Sequence, residues 1–596
     1  MLDANNIIHI NVPGDADEHG RRLYTITLYK PEDLNSLYTD MEYFTNHSYI
    51  PSRPIPVVNR RPISVNTDYR LTEEEAQQIS LDPRVRAVEL HVSERHLIHM
   101  NHWTISSNNW DKSGAVANGM QNWPLLRCYN GIGNTQWGYD ANPVTTGTVN
   151  FKTSGKNVDF VVLSNNIGYD SPEYAVNPDG TGGSRVVQLD WLQKYSNVVT
   201  GVQSTNNYLY TANTWSEHDH ACMGCGVGNS LGFARDANIY TIGGTGNDDM
   251  KQWQLWDYVT YWHKNKPINP VTGHKNPTVA NSSWGTYAYF TGATRFDGNT
   301  ANGFVSSIRV GGVVANTFNW VLSDFLNPGP KTANTITFTP NIYQGFANPD
   351  ANGYYSFNWA SAPTSYIADI ETMVAAGVSY TISGGNGSNI VNAYSADPAD
   401  NYNDYIIFGK GPSIANVGNP IYINRGDLNG ANGAIAVGAT DGTGLDQKVS
   451  FSAVGTKIAI FAPGINIMGT GLVHNPGDIY DYRNPTYVIG KVSGTSVSAP
   501  IAAGVIACLL ETYPTLGPNE VLKYLQNFGK NQLANNYFYY PQVQYTSYWS
   551  LVGAANNYLY FNNERSDNGD LYPKENVYIR PSLGQTFPRP RIKQIY

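Results

Sequence analysis

From Ile501 to Leu510 the chain reads Ile-Ala-Ala-Gly-Val-Ile-Ala-Cys-Leu-Leu, a run of small and apolar residues without a charge. A helix apolar around its whole circumference has no face to offer water and must be enclosed by other layers of structure. The run is far short of the roughly 20 residues that a membrane helix needs, so no membrane span is expected. Directly before it stands Gly494-Thr495-Ser496-Val497-Ser498-Ala499-Pro500. A serine between a tight turn and a helix start lies near backbone N–H groups that the helix leaves unpaired, where negative charge on a reacting oxygen is favoured. Two readings of this segment stand on its own residues: a cap for a buried helix, or a serine nucleophile.

A nucleophile needs a base and donors for the oxyanion. Upstream of an apolar strand pattern at Ile239-Tyr240-Thr241-Ile242 lies Glu217-His218-Asp219-His220-Ala221-Cys222-Met223-Gly224-Cys225-Gly226. The spacing of His218, His220, Cys222 and Cys225 also suits tetrahedral zinc, but on a helix position 220 points away from the face shared by 218, 222 and 225. No second Cys/His cluster stands elsewhere, and no metal or other cofactor is expected. Ser365 to Ala376 carries Tyr366, Ile367, Ile370, Met373 and Val374 at helical spacing, stops at Gly377, and leads into a strand ending at Gly384-Gly385-Asn386. A side-chain amide there can donate to a tetrahedral oxyanion.

Gly-Thr-Ser-x-x-x-Pro at 494–500 closely resembles the nucleophile motif of the subtilases, the subtilisin-like serine proteases. That resemblance implies Ser496 as nucleophile, His218 as general base and Asn386 as oxyanion donor. The histidine motif of the family is His-Gly-Thr-x-(Val or Cys)-Ala-Gly; His218, Cys222 and Gly224 fall on it, whereas Asp219 and His220 replace its Gly and Thr. Ser283-Trp284-Gly285 resembles the strand that lines the primary specificity pocket, so its backbone is expected to hold an extended peptide, with Trp284 narrowing the pocket. Ala434 to Gly438, Phe451 to Gly455 and Ile458 to Gly464 match the late framework strands and turns. The strand that carries the family's aspartate aligns with Val158 to Ser164 and puts Ser164 at the aspartate position. A serine hydroxyl can accept the imidazole N–H but brings no charge. Asp170, in the following loop, is the candidate substitute; Asp159 lies five residues before Ser164 on the strand and faces the other way.

The implied fold is α/β, a three-layer sandwich with a mostly parallel sheet, preceded by a small α+β ferredoxin-like prodomain. In the first hundred residues, Leu23 to Lys30 alternates as a strand and Pro31 to Phe44 places Leu34, Leu37, Met41 and Phe44 on one helical face. Thr72-Glu73-Glu74-Glu75 is a capping box, and Val85 to Leu90 reads as a closing strand. Tyr69 to Ala76 and Asp82 to Val85 resemble the subtilase inhibitor propeptide. The organisation expected is residues 1–95 propeptide-like, 96–155 an irregular connection, 156–530 the subtilisin-like domain with a β-rich insertion at about 286–363, and 531–596 an extended arm. Thr335 to Thr339 alternates as a strand within that insertion.

Of the 596 residues only 14% are charged, and 42 tyrosines far outnumber 19 phenylalanines. A formal net charge of -9 speaks against a nucleic-acid partner, which needs clustered Lys and Arg. Four cysteines without paired spacings read as thiols, and the start, Met1 to Asn6, lacks the basic and apolar segments of a signal peptide. The chain is therefore expected to be made in the cytoplasm. Its Asn, Tyr and Gly content and its Pro-Arg-Pro-Arg tail make it similar to subtilase-domain structural proteins of tailed, cyanophage-like phages. Two functions follow: a serine endopeptidase impaired at Ser164, acting on polypeptides or its own prodomain, or a virion protein on a degenerate protease scaffold, binding other virion proteins. Structural calcium sites are not legible in the sequence. A doubly wound nucleotide-binding protein is disfavoured because no Gly-x-Gly-x-x-Gly follows a first strand.

Overall fold

The computed structural model describes residues 16–105 and 153–528 with internal gaps, the longest being 202–208, 244–253, 295–304, 316–341, 344–354, 409–419 and 441–447, and beyond these only residues 124–125, 530–531 and 557–558. Phe44, the strand expected at Thr335 to Thr339, and nearly all of the 531–596 arm lie outside the described residues.

The N-terminal unit runs β1 (Arg22–Leu28), α1 (Leu34–Tyr43), β2 (Val57–Asn59), β3 (Asn66–Leu71), α2 (Glu73–Ser80) and β4 (Val85–Leu90). Its antiparallel sheet has the order β2-β3-β1-β4, which is the ferredoxin-like arrangement; β2 is a three-residue edge strand beyond the strand-helix pattern read from the sequence. Leu34, Leu37 and Met41 are buried against Tyr24, Ile26 and Val88 in one core. The capping box of α2 forms as its sequence demands: Thr72 Oγ1 accepts from the Glu75 N–H, and the Thr72 N–H donates to Glu75 Oε2 at 2.9 Å.

Two short strands follow, β5 (Leu97–Asn101) and β6 (Thr104–Ile105). The main body then comprises β7 (Asp159–Ser164), β8 (Val186–Gln188), α3 (Glu217–Val227), β9 (Asn238–Gly243), α4 (Leu255–Asn265), β10 (Thr278–Ser282) and β11 (Trp284–Thr294). It continues with α5 (Thr364–Ala375), β12 (Ser379–Ser383), β13 (Ile435–Thr440), β14 (Ile458–Pro463), β15 (Ile467–Gly471), β16 (Val488–Ser493), α6 (Thr495–Thr512) and α7 (Pro518–Phe528). Strands β14-β13-β12-β10-β7-β9-β8 lie side by side, every neighbouring pair parallel. Outside β14, residues 557–558 pair parallel and 530–531 add an antiparallel edge. Between β11 and α5 the described elements are all strands.

A parallel sheet covered on both faces needs strands that are apolar on both faces. In β7, Phe160 and Val162 pack with α3, α6 and α7, while Val161 and Leu163 pack with α4 and α5. The three layers follow from that alternation. All of Thr495 to Leu510 is buried, so this helix, long and apolar enough to cross a membrane, serves as the centre of the sandwich. It crosses α3 closely: a Cβ on Gly504 would stand 2.5 Å from the Gly226 carbonyl oxygen.

The N-terminal unit rests on the face formed by α4 and α5. Arg61 reaches Asp257 of α4 and Asp369 of α5, each at 2.6 Å, and Glu89 caps α5 by accepting from the Thr364 N–H at 2.8 Å. Carboxylates at a helix N-terminus are favoured by its unpaired N–H groups and dipole.

Candidate active site

The parallel strands point their C-terminal ends to one rim, where loops and helix starts gather functional side chains. Strand β16 enters Gly494, whose φ of 149° is strained for any residue with a Cβ. That turn places Ser496 in the first turn of α6, fully buried. Pro500, one turn on, has no N–H, so the Ser496 carbonyl loses its helical donor. Ser283, the residue after β10, replaces it: its hydroxyl donates to the Ser496 carbonyl at 2.7 Å and accepts from Asn281 Nδ2 at 3.0 Å.

Asn386 follows β12 by three residues and turns toward the same helix start. Its Oδ1 accepts from the Thr495 N–H at 2.9 Å and from the Thr495 hydroxyl at 2.8 Å, and that hydroxyl accepts from the Gly385 N–H at 3.0 Å. With the oxygen edge engaged, the amide's N–H edge is turned away from Thr495.

His218 lies in the first turn of α3, whose N-cap Ser216 accepts from the Asp219 N–H. Its Nδ1 is 2.8 Å from Oδ1 of Asp219, with the two side chains 4% and 1% exposed. Its Nε2 is 3.7 Å from Cys222 Sγ, one turn along the helix. Burial pushes the Cys222 thiol well above its ordinary range, only partly offset by a hydrogen bond with Ser283, so the sulfur stays protonated. His218, Cys222, Ser283 and Ser496 thus form one contiguous set of contacts.

Asp170 and Trp284 lie elsewhere than the sequence reading put them. Asp170, the candidate substitute carboxylate, accepts a hydrogen bond from the Tyr487 hydroxyl; the carboxylate at the Nδ1 edge of His218 is Asp219. Trp284 is buried. The loop from β10 swings its indole into the core between sheet and helices, where Nε1 donates to the Leu163 carbonyl at 2.7 Å and the ring packs near Trp256. Ser164 closes β7 in register with Gly243. His220 is separate from His218: its Nδ1 accepts from the Gly168 N–H at 3.1 Å, so its Nε2 carries the proton toward Thr470 Oγ1. Burial holds it down to about 3, hence neutral.

The backbone of the Ser283-Trp284-Gly285 segment already holds an extended strand. In antiparallel register β11 pairs Trp284 with Asn101 and Gly285 with Met100, and β16 pairs Ser493 with Thr104. The strand that follows Ser283 and the strand that leads into α6 are thus paired with residues 97–101 and 104–105 respectively.

The sequence model of the Subtilase family matches residues 190–538, more than half of the chain. The chain belongs to the subtilase family. The match begins past β7, so the strand that ends at Ser164 lies outside it. Among curated subtilases, subtilisin DY of Bacillus licheniformis is 33% identical over 105 residues, 18% of this chain and 32% of that protein. The thermostable alkaline protease of Halalkalibacterium halodurans is 37% identical over 89 residues, 15% of this chain and 20% of that protein. This subtilase therefore aligns with about a third or less of the length of these relatives. Among solved structures, a cold adapted subtilisin-like serine proteinase aligns with TM-score 0.37 and 17% identity, covering 74% of this chain and 98% of that one. Fervidolysin from Fervidobacterium pennivorans, a keratinolytic enzyme, aligns with TM-score 0.43 and 15% identity over 89% of this chain and 60% of that one.

Proposed function

We propose that this subtilase is a serine endopeptidase in which Ser496 attacks a peptide carbonyl, His218 takes its proton and returns it to the leaving amine, and water then hydrolyses the acyl-enzyme. Asn386 is held at the start of α6 through Thr495, and on this reading its amide and the first-turn N–H groups of α6 donate to the tetrahedral oxyanion. The observation that carries the reading is the pairing of residues 97–101 with β11, which follows the Ser283 that bonds the Ser496 carbonyl, and of residues 104–105 with β16, which leads into α6. A groove that grips extended main chain on both sides of a nucleophile selects for peptides, because strand addition recognises backbone groups that every peptide has.

On this reading the chain's own segment is the first occupant of the groove. Tethering to the docked N-terminal unit gives it a high effective concentration, so it acts as an inhibitor until cut and as a substrate while being cut. Cleavage is expected between Asn101 and Thr104, the stretch between the two pairings. A fluorophosphonate probe is expected to label wild-type chain at Ser496 and not a Ser496→Ala variant. Intact-mass measurement is expected to find a fragment beginning at residue 102, 103 or 104. Absence of labelling beside a reactive control protease sinks the endopeptidase reading in favour of a scaffold without activity.

A further inference from the structure

We propose that Asp219, the chain neighbour of His218, supplies the carboxylate that orients the catalytic imidazole, in place of a carboxylate at position 164. The inference rests on the endopeptidase reading.

A general-base histidine needs its proton on Nδ1, so that the lone pair at Nε2 faces the nucleophile, and it needs a negative charge near Nδ1 as imidazolium forms. A buried carboxylate at hydrogen-bond distance from Nδ1 supplies both, and the described geometry contains one. Asp219 Oδ1 lies 2.8 Å from Nδ1, with the pair almost wholly out of water. The other ring nitrogen, Nε2, then turns toward Cys222, whose thiol contacts the Ser283 hydroxyl that holds the Ser496 carbonyl.

Successive residues on a helix do not ordinarily face each other, so the contact is not a by-product of sequence adjacency. It requires both side chains to fold over the first turn of α3. That location also suits the charge: the helix N-terminus favours an anion and disfavours a lone imidazolium. An aspartate in the first turn is a common stabiliser by itself. A purely structural Asp219 would support the helix start and would leave turnover untouched. Asp170 is engaged with Tyr487.

In this arrangement Asp219 positions His218 and does not touch substrate. The relocation alters which element carries the charge. In the expected arrangement the carboxylate comes from the sheet, whereas here acid and base ride on one helix and move together relative to Ser496.

The test uses the full chain and a peptide substrate, with fluorophosphonate labelling of Ser496 as the rate of nucleophile activation. Asp219→Asn is expected to lower kcat and the labelling rate by about 10³- to 10⁴-fold while KM changes by less than about threefold. Asp219→Glu is expected to recover part of that loss, and Ser164→Asp added to Asp219→Asn to recover more. Wild-type rates in folded Asp219→Asn overturn the proposal; if that variant does not fold, Asp219→Gly decides by the same criterion. Nitrogen-15 histidine NMR gives a readout independent of turnover. His218 is expected as the Nδ1–H tautomer in the wild type and to lose that preference in the variant, and an Nε2–H tautomer in the wild type overturns the proposal even if no activity is found. Failure of wild-type labelling alone, with the Nδ1–H tautomer present, strikes the endopeptidase reading and leaves the orienting contact standing.

Discussion

The Ser283 hydroxyl donates to the Ser496 carbonyl at 2.7 Å, replacing the helical bond that Pro500 removes. The proline in the nucleophile motif therefore creates a requirement that a strand on the other side of the site meets. Ser283→Ala leaves a buried carbonyl without that donor, a loss of about 1–3 kcal/mol in equilibrium unfolding. Because the nucleophile's own backbone shifts, Ser496 labelling is expected to slow by roughly ten- to a hundredfold. Equal labelling rates in the variant and wild type would mean that the brace serves stability alone.

Asn386 is held by its oxygen, so truncation and charge change separate two contributions. Asn386→Ala removes both the brace on Thr495 and the proposed oxyanion donor; Asn386→Asp keeps the acceptor for Thr495 and loses the proposed donor. Both are expected to reduce kcat by about 10²–10³ with little change in KM, and only the alanine variant is expected to lower Tm appreciably. Steady-state kinetics with a thermal scan on each variant checks this.

Much of this architecture is legible in the residues. An all-apolar run at Ile501 to Leu510 requires a central helix, and the apolar strand at Val158 to Leu163 requires cover on both faces. Thr72 and Glu75 announce their capping box because that bond is local in sequence. What escapes the sequence depends on χ angles and on contacts between distant elements. Asp219 stands in the sequence as a departure from a glycine, and nothing in helical spacing says that it folds back on its neighbour. Trp284 sits in a segment that reads as pocket lining, yet a large indole gains more by filling the core beside Trp256 than by standing at a polar rim. The signal was present in each case as an unusual residue type at a familiar position.

Arg61 bridges two buried carboxylates, Asp257 and Asp369, where the N-terminal unit meets α4 and α5. Arg61→Met leaves those carboxylates facing each other and is expected to cost about 3–5 kcal/mol of the docked state, seen as earlier urea unfolding and faster proteolysis of the N-terminal unit. Burial, with Asp257 adding to it against the pull of Arg61, pushes Asp369 up to about 8. An exposed aspartate titrates near 3.9, so the docked form holds a proton that the undocked form lacks between about pH 4 and 8. Docking therefore weakens as pH rises across that window. Asp369→Asn is expected to flatten the dependence in urea midpoints measured from pH 5 to 9.

His220 imposes the opposite slope. Burial lowers it to about 3, against about 6.5 in an unfolded chain, so below pH 6.5 the unfolded state binds a proton that the folded state refuses. Its stabilising contribution is full above about pH 6.5 and is lost progressively as pH falls toward 3. The ring is enclosed by Tyr174 edge-on and Tyr487 stacked, and its Nδ1 must remain an acceptor for the Gly168 N–H, so protonation breaks a bond as well as charging the core. His220→Gln keeps an acceptor without a titrating group. It is expected to lose stability at pH 7 through imperfect packing yet to show a shallower decline between pH 6.5 and 4 than the wild type. Asp369 acts with the reverse sign, so the two groups pull stability in opposite directions as pH changes. Parallel acid limbs in wild type and His220→Gln would move the acid sensitivity to another group.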